Sequence, residues 1–222
     1  GGAFSGCTDL QKVVIPSTVT NLGSNAFNGC TSLTDAEFNY NTQKGYTLEI
    51  GGGAFYGCSA LENVMLSENV SRIGSETFYG CGALETLILP ESVTYLGSMM
   101  IRGTAVNSIT IPKSVSDCGV NNSGSNYYLG PLAGASYLTT VTIEDGMEKI
   151  PDYLCSSQSL SSYITSVNIP SSVTSIGNRA FCGCDKLVNA EMPDTVTSIG
   201  ENVYSQSTKL KSIKLSSTLK TI

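Results

Sequence analysis

The strongest constraint on this chain is that it repeats itself. Residues 54–76, AFYGCSALENVMLSENVSRIGSE, overlay residues 77–99, TFYGCGALETLILPESVTYLGSM, after a shift of 23. Self-similarity at a fixed period between 20 and 50 residues is the signature of a solenoid, whose units bury their apolar faces only by stacking on neighbours. With the Ala-Phe pair as phase marker, nine units begin at Ala3, Ala26, Ala54, Thr77, Met100, Pro131, Leu154, Ala180 and Val203. Five of the eight spacings are 23; the others, 28, 31 and 26, mark insertions.

The units share the pattern A-F-x-G-C-x-x-L-x-x-V-x-I-P-x-S-V-T-x-I-G-x-x. Its V-x-I pair, as in Val13 and Ile15, Val64 and Leu66, Leu87 and Leu89, or Val167 and Ile169, has the two-residue period of a strand with these side chains inward. Equivalent strands one turn apart pair in parallel, and at ~4.8 Å each nine of them make one sheet of roughly 40 Å. Pro16, Pro90, Pro112, Pro170 and Pro193 lack the N–H that would continue the ladder, so each strand is short. The S-V-T-x-I-G segment reads as extended chain with two inward anchors, a second minor ladder. Gly23, Gly74, Gly97, Gly177 and Gly200 then bend the chain, and Ser24, Ser75 or Asn178 can cap a short helical turn carrying Ala-Phe. A second glycine, at Gly29, Gly57, Gly80 and Gly183, ends that turn after one revolution. The fourth unit's expected core is Phe78, Leu84, Leu87, Leu89, Val93 and Leu96.

The L-x-x-V-x-I core is similar to that of leucine-rich repeats, and the A-F-x-G-C turn with P-x-S-V-T-x-I-G resembles the BspA-like branch of that family. The resemblance covers nearly the whole chain. It implies one repeat-solenoid domain over residues 1–222, a right-handed α/β-type coil of about nine repeats. A parallel β-sheet would line the concave face, with 3₁₀ or helical turns on the convex face. It also implies a non-enzymatic module, secreted or displayed at a cell surface, that adheres to host or matrix proteins.

Composition narrows the alternatives. A net charge of −6 makes nucleic acid an unsuitable partner, and no run of 18 apolar residues spans a membrane. The absence of histidine removes the commonest general base and metal ligand. Insertions at NYNTQKGYTLE from Asn39, NNSGSNYYLG from Asn121 and SSQSLSSY from Ser156 are expected to be surface loops. Both ends of the sequence fall inside units, which suggests a longer parent protein.

Eight cysteines invite a redox or metal reading. Cys7, Cys30, Cys58, Cys81 and Cys184 share one position, which Thr104 and Ala135 fill elsewhere, so a small buried filler is expected there. Side chains stacked in register run parallel and do not favour the disulfide dihedral, so free thiols are expected. Cys118 and Cys155 replace an apolar core residue, whereas Cys182 takes a variable, outward position. No cofactor or metal is expected. Asp35 and Glu37 on one strand and Glu191 on another read as solvated charges rather than a catalytic pair.

The open sheet face remains as the candidate site. Its outward residues include Asp35, Glu37, Asn63, Met65, Thr86, Ile88, Thr110, Thr142, Asn168 and Glu191. Met65 and Ile88 make a small apolar spot, followed by hydroxyls and amides. Tyr40, Tyr46, Tyr127, Tyr128 and Tyr163 lie in or beside the insertions as possible contact anchors. A protein ligand bound through this face is the first expectation. A carbohydrate-binding module using Tyr127 and Tyr128 is the second, and a passive spacer the third.

Overall fold

Along most V-x-I segments every second side chain is driven inward, and burial follows: Ile109 and Ile111 are buried while Ser108 and Thr110 face solvent, whereas Ile213 and Leu215 of the last segment stay exposed. The computed structural model describes residues 1–43, 45–121 and 128–222. It stacks these segments as parallel strands in about nine turns of about 23 residues. The register is that of the repeat. Lys12 lies beside Asp35 and Asp35 beside Asn63, while Val14, Glu37 and Met65 form the neighbouring row.

The first ladder is interrupted, which corrects the single sheet expected from the sequence. It runs over Lys12–Ile15, Asp35–Phe38 and Asn63–Met65. A second section covers Ser108–Ile111, Thr140–Ile143 and Ser166–Asn168, and a third Asn189–Glu191 and Ser212–Lys214. In the fourth turn Leu87 and Leu89 are buried and Ile88 is exposed, yet residues 86–89 make no ladder bond on either side. Alternation records only side-chain burial, whereas a ladder also needs backbones at the hydrogen-bonding spacing. The two requirements part company here.

The S-V-T-x-I-G segment does form a second ladder. Asn21–Leu22, Leu48–Ile50, Val70–Ile73, Tyr95–Leu96 and Asp117–Cys118 make one parallel sheet. Lys149–Ile150, Ser175–Ile176 and Ser198–Ile199 make another. Between the ladders the chain turns at its prolines: Val93 N–H donates to Pro90 O at 3.1 Å, and Val115 N–H to Pro112 O at 3.0 Å. The residue before that valine adds a bond between turns. Ser92, Ser114 and Thr195 hydroxyls donate to the carbonyls of Val70, Val93 and Val173 at 2.6, 2.7 and 2.8 Å.

The Ala-Phe arm contains no helix among the described residues, so the helical turns expected on this side are not formed. The reason lies in where its N–H groups go. Tyr56 and Cys58 donate three residues back, to Gly53 and Phe55, but Gly53, Phe55 and Gly57 donate to Ser75, Thr77 and Tyr79 in the next turn. A helix needs each N–H for its own carbonyl four residues earlier, and stacking takes every second one. Left-handed residues also delimit the arm at both ends. Gly80 closes it with φ 75°, while Asn25, Glu76, Met99, Tyr153, Arg179 and Asn202 open it with φ between 51° and 63°. The segment between is too short to nucleate a helix. Asn178, expected to cap such a helix, instead donates from N–H and Nδ2 to Asp152 at 3.1 and 3.0 Å and accepts from Glu201 N–H at 2.8 Å.

The bend glycines serve another purpose. A Cβ on Gly97 would overlap the backbone of Gly74 and Ser75 in the preceding turn, so glycine permits the close approach of successive turns. Phe4, which is exposed, and the buried Phe27, Phe55 and Phe78 stack in one file with centroids 5.1, 5.4 and 5.7 Å apart. The six residues expected as the fourth unit's core are all buried.

Candidate binding face and its boundaries

The pleat that sends Val64 and its equivalents inward sends the candidate residues outward. Met65 is 65% exposed and Ile88 81%, and Val14 in the same row is 44% exposed. Asn63, Thr86, Thr110, Asn168 and Glu191 are exposed, while Asp35, Glu37 and Thr142 are half-buried. The register brings the first group together. Lys12 Nζ lies 3.4 Å from Glu37 Oε2, and Asn63 Nδ2 donates to Asp35 Oδ1 at 3.0 Å. The Thr34 hydroxyl donates to Asp35 Oδ2 at 2.6 Å. These two hydrogen bonds, with a smaller contribution from Lys12, hold the Asp35 carboxyl below the usual carboxylate range. Further along, Asn168 Nδ2 donates to Thr142 Oγ1 at 3.2 Å. Glu191 sits near the other end of the stack and makes no pair with Asp35 or Glu37.

Two cavities open on this face, each at a place where the first ladder is broken. One of about 540 Å³ is lined by Thr86, Ile88 and Thr110, with Glu68, Glu91 and Glu144 among its other walls. The other, about 650 Å³, lies between Thr142, Asn168, Asn189 and Glu191, with Asp145 beside them. Thr142 belongs to both. The acidic rim was not among the sequence candidates, because it comes from the turn after each strand rather than from the strand. Its signal was present in Glu91, which follows Pro90 directly, and in the matching Lys113. Lys113 Nζ stands 3.4 Å from Glu91 Oε2 and 3.7 Å from Glu144 Oε1. Hydrogen bonding to Glu91 and the charges of Glu144 and Glu91 raise the Lys113 pKa above its ordinary value.

The tyrosines divide. Tyr127 lies outside the described residues. Tyr128 is stacked on Tyr153 with centroids 5.5 Å apart, and the Arg179 guanidinium lies 4.4 Å from its ring centre. Its N–H is held by Gln158 Oε1 at 3.1 Å. Tyr128 therefore packs against the solenoid rather than offering a free ring. Tyr46 likewise donates its hydroxyl to Thr18 O. Tyr40 and Tyr163 remain exposed.

The cysteines serve the interior. All eight are free thiols. Cys30, Cys58 and Cys81 each donate Sγ–H to the carbonyl of the preceding turn's phenylalanine, Phe4, Phe27 and Phe55, at 3.1 Å. Ser207, at the same position, does so to Phe181 at 3.2 Å. Burial pushes the Cys58 and Cys184 thiols up to about 12 and raises Cys81, Cys118 and Cys155 as well. Two expectations need correction. Cys182 is buried rather than outward, and burial raises its thiol despite the opposing Arg179 charge and Ser205 hydrogen bond. Cys7, in the first turn, is exposed rather than buried.

A family model described as a BspA type leucine rich repeat region matches in six copies over residues 1–126 and 132–222. A search of curated proteins gives no match. The fold is similar to that of a T. pallidum leucine-rich repeat protein, with a TM-score of 0.58 and 20% identity over 79% of this chain and 77% of that one. It is also similar to a leucine-rich repeat protein from Eubacterium ventriosum, with a TM-score of 0.51 and 24% identity over 92% of this chain and 60% of that one. At these identities the likeness is one of fold. The match across both long segments, together with the stacked parallel turns, makes this chain a member of the BspA-type leucine-rich repeat family.

Proposed function

We infer that this chain is a non-enzymatic interaction module that binds a protein partner through its open sheet face, at a cell surface or in secreted form. The observation that carries the reading is the exposure of Met65 and Ile88 in neighbouring turns, with Ile88 in the wall of a cavity, in a row that continues beyond them as Thr110, Thr142, Asn168 and Glu191. The core does not require them there. Exposed apolar groups rimmed by polar ones are the common form of a protein contact surface. Solenoids also present extended surfaces of this kind to their partners. Surface display follows from the BspA-like resemblance, and no helix among the described residues is long and apolar enough to cross a membrane.

The test is a comparison of wild type with E37A/M65A/I88A on an array of extracellular-matrix and host-surface proteins. The expected result is a bound protein whose signal falls at least tenfold in the variant, with an unchanged thermal midpoint. Loss of three side chains from the centre of a contact surface has an effect of that size. An array on which the two proteins are indistinguishable removes the sheet face as the binding site.

A further inference from the structure

We propose that the two cavities form one continuous track, selective for an extended cationic segment with apolar side chains between its Lys or Arg residues. The inference rests on the binding face argued above and adds the chemistry of its occupant.

Charge is the first argument. Glu68, Glu91 and Glu144 wall the first cavity and Asp145 and Glu191 the second. Against these five carboxylates stand Lys113, shared between Glu91 and Glu144, and Lys214, in register with Glu191. The track therefore keeps an excess of negative charge where a partner would lie. Shape is the second argument. Both cavities coincide with breaks in the first ladder, and Thr142 lines both, so one ligand can pass from one to the other. From the turn of Glu68 to that of Glu191 is about 24 Å at ~4.8 Å per turn, the reach of about seven extended residues at ~3.3 Å each. Chemistry along the track is the third. Ile88, 81% exposed at the first cavity, calls for an apolar side chain, and the carboxylates above it call for Lys or Arg. An anionic segment would meet like charge along the whole track, and a nucleic acid would do so at every phosphate.

The experiment uses fluorescence anisotropy with labelled eight-residue peptides of alternating Lys and Leu, or alternating Glu and Leu, at low ionic strength. The Lys-Leu peptide is expected to bind wild type and the Glu-Leu peptide not to. An exposed charge pair changes affinity by about 1.5- to 5-fold, so E68Q/E91Q/E144Q should weaken the Lys-Leu peptide about tenfold. E49Q/E76Q/E201Q removes the same number of charges away from the track and should change affinity by less than about twofold. Equal losses in the two triple variants would mean attraction by net charge alone and overturn the proposal, as would absent binding of the Lys-Leu peptide. Preference for the Glu-Leu peptide, abolished in E37A/M65A/I88A, overturns the cationic selectivity while leaving the sheet face as the binding surface. Peptide binding insensitive to E37A/M65A/I88A and to E68Q/E91Q/E144Q removes both.

Discussion

The Ala-Phe arm and the sheet face arise from the same repeat, yet the arm keeps its pattern from turn to turn and the face does not. In the arm, Phe4 to Phe78 stack in one file and three successive thiols make the same bond to the turn before. On the face, the ladder stops at residues 86–89 and resumes at Ser108, and Glu37, Met65, Ile88 and Thr110 fill one row with four different side chains. Stacking limits positions that touch their equivalents above and below to apolar or small side chains. Outward positions touch solvent, and there the sequence is free to vary toward a ligand. Stability should therefore be concentrated in the arm and recognition on the face.

The largest expected effect separates the two regions by pH. Unfolded thiols ionise near 8.5, whereas Cys58 and Cys184 are pushed to about 12 in the fold. A raised folded value gives stability that is fully present below about pH 8.5 and is lost as pH rises toward 12, because the unfolded chain releases its proton first. Between pH 8 and pH 10 these two thiols together withdraw about 4 kcal/mol, and Cys81, Cys118 and Cys155 add to the loss. Urea midpoints measured across that range should fall steeply, and C58S/C184S should flatten the fall. A midpoint constant from pH 8 to pH 10 would break the claim that the arm carries the stability.

Side-chain truncation gives the next contrast. Phe55 is fully buried between Phe27 and Phe78, so Phe55→Ala leaves a cavity and should cost about 3 to 5 kcal/mol. Ile88→Ala truncates a side chain that is already 81% exposed and should change stability by less than about 0.5 kcal/mol. Chemical denaturation of the two variants measures the difference directly. Comparable losses would mean that Ile88 supports the fold and is not reserved for a partner.

Much of this division was legible from the repeat. Period and alternation identified Phe78, Leu84, Leu87, Leu89, Val93 and Leu96 as buried and Met65 and Ile88 as exposed, since burial depends on which side of a strand a residue occupies. The second ladder was legible for the same reason. What escaped was everything decided between turns. In the left-handed column the glycine signal is present only at Gly2 and Gly53; Glu76 and Met99 hold the same conformation without it, where their N–H groups bond to the next turn. The arm's failure to form helix follows from those same bonds. Cys182 was assigned by its variability, and its burial depends on the loop of turn seven, whose Ser157 N–H bonds to Cys182 O at 2.8 Å. The acidic rim of the candidate site was missed because Glu68, Glu91 and Glu144 come from turns in different units and meet only once the units stack.

The smallest effect distinguishes two classes of hydroxyl that look alike in the sequence. Ser92 belongs to the P-x-S-V-T turn and donates to Val70 O at 2.6 Å, and Ser114 and Thr195 repeat the bond in other turns. Thr110 stands on the exposed face between Ile109 and Ile111, where water can satisfy its hydroxyl. A net intramolecular hydrogen bond contributes about 1 kcal/mol, so Ser92→Ala should lower stability by about that much and Thr110→Ala by half or less. Binding should report the reverse, with Ser92→Ala silent and Thr110→Ala weakening a ligand held at the Ile88 cavity, whose wall Thr110 forms. Measuring denaturation and peptide affinity on both variants completes the test. Equal effects of the two substitutions in both assays would show that turn and face hydroxyls do the same work, and would dissolve the boundary between scaffold and site that the repeat draws.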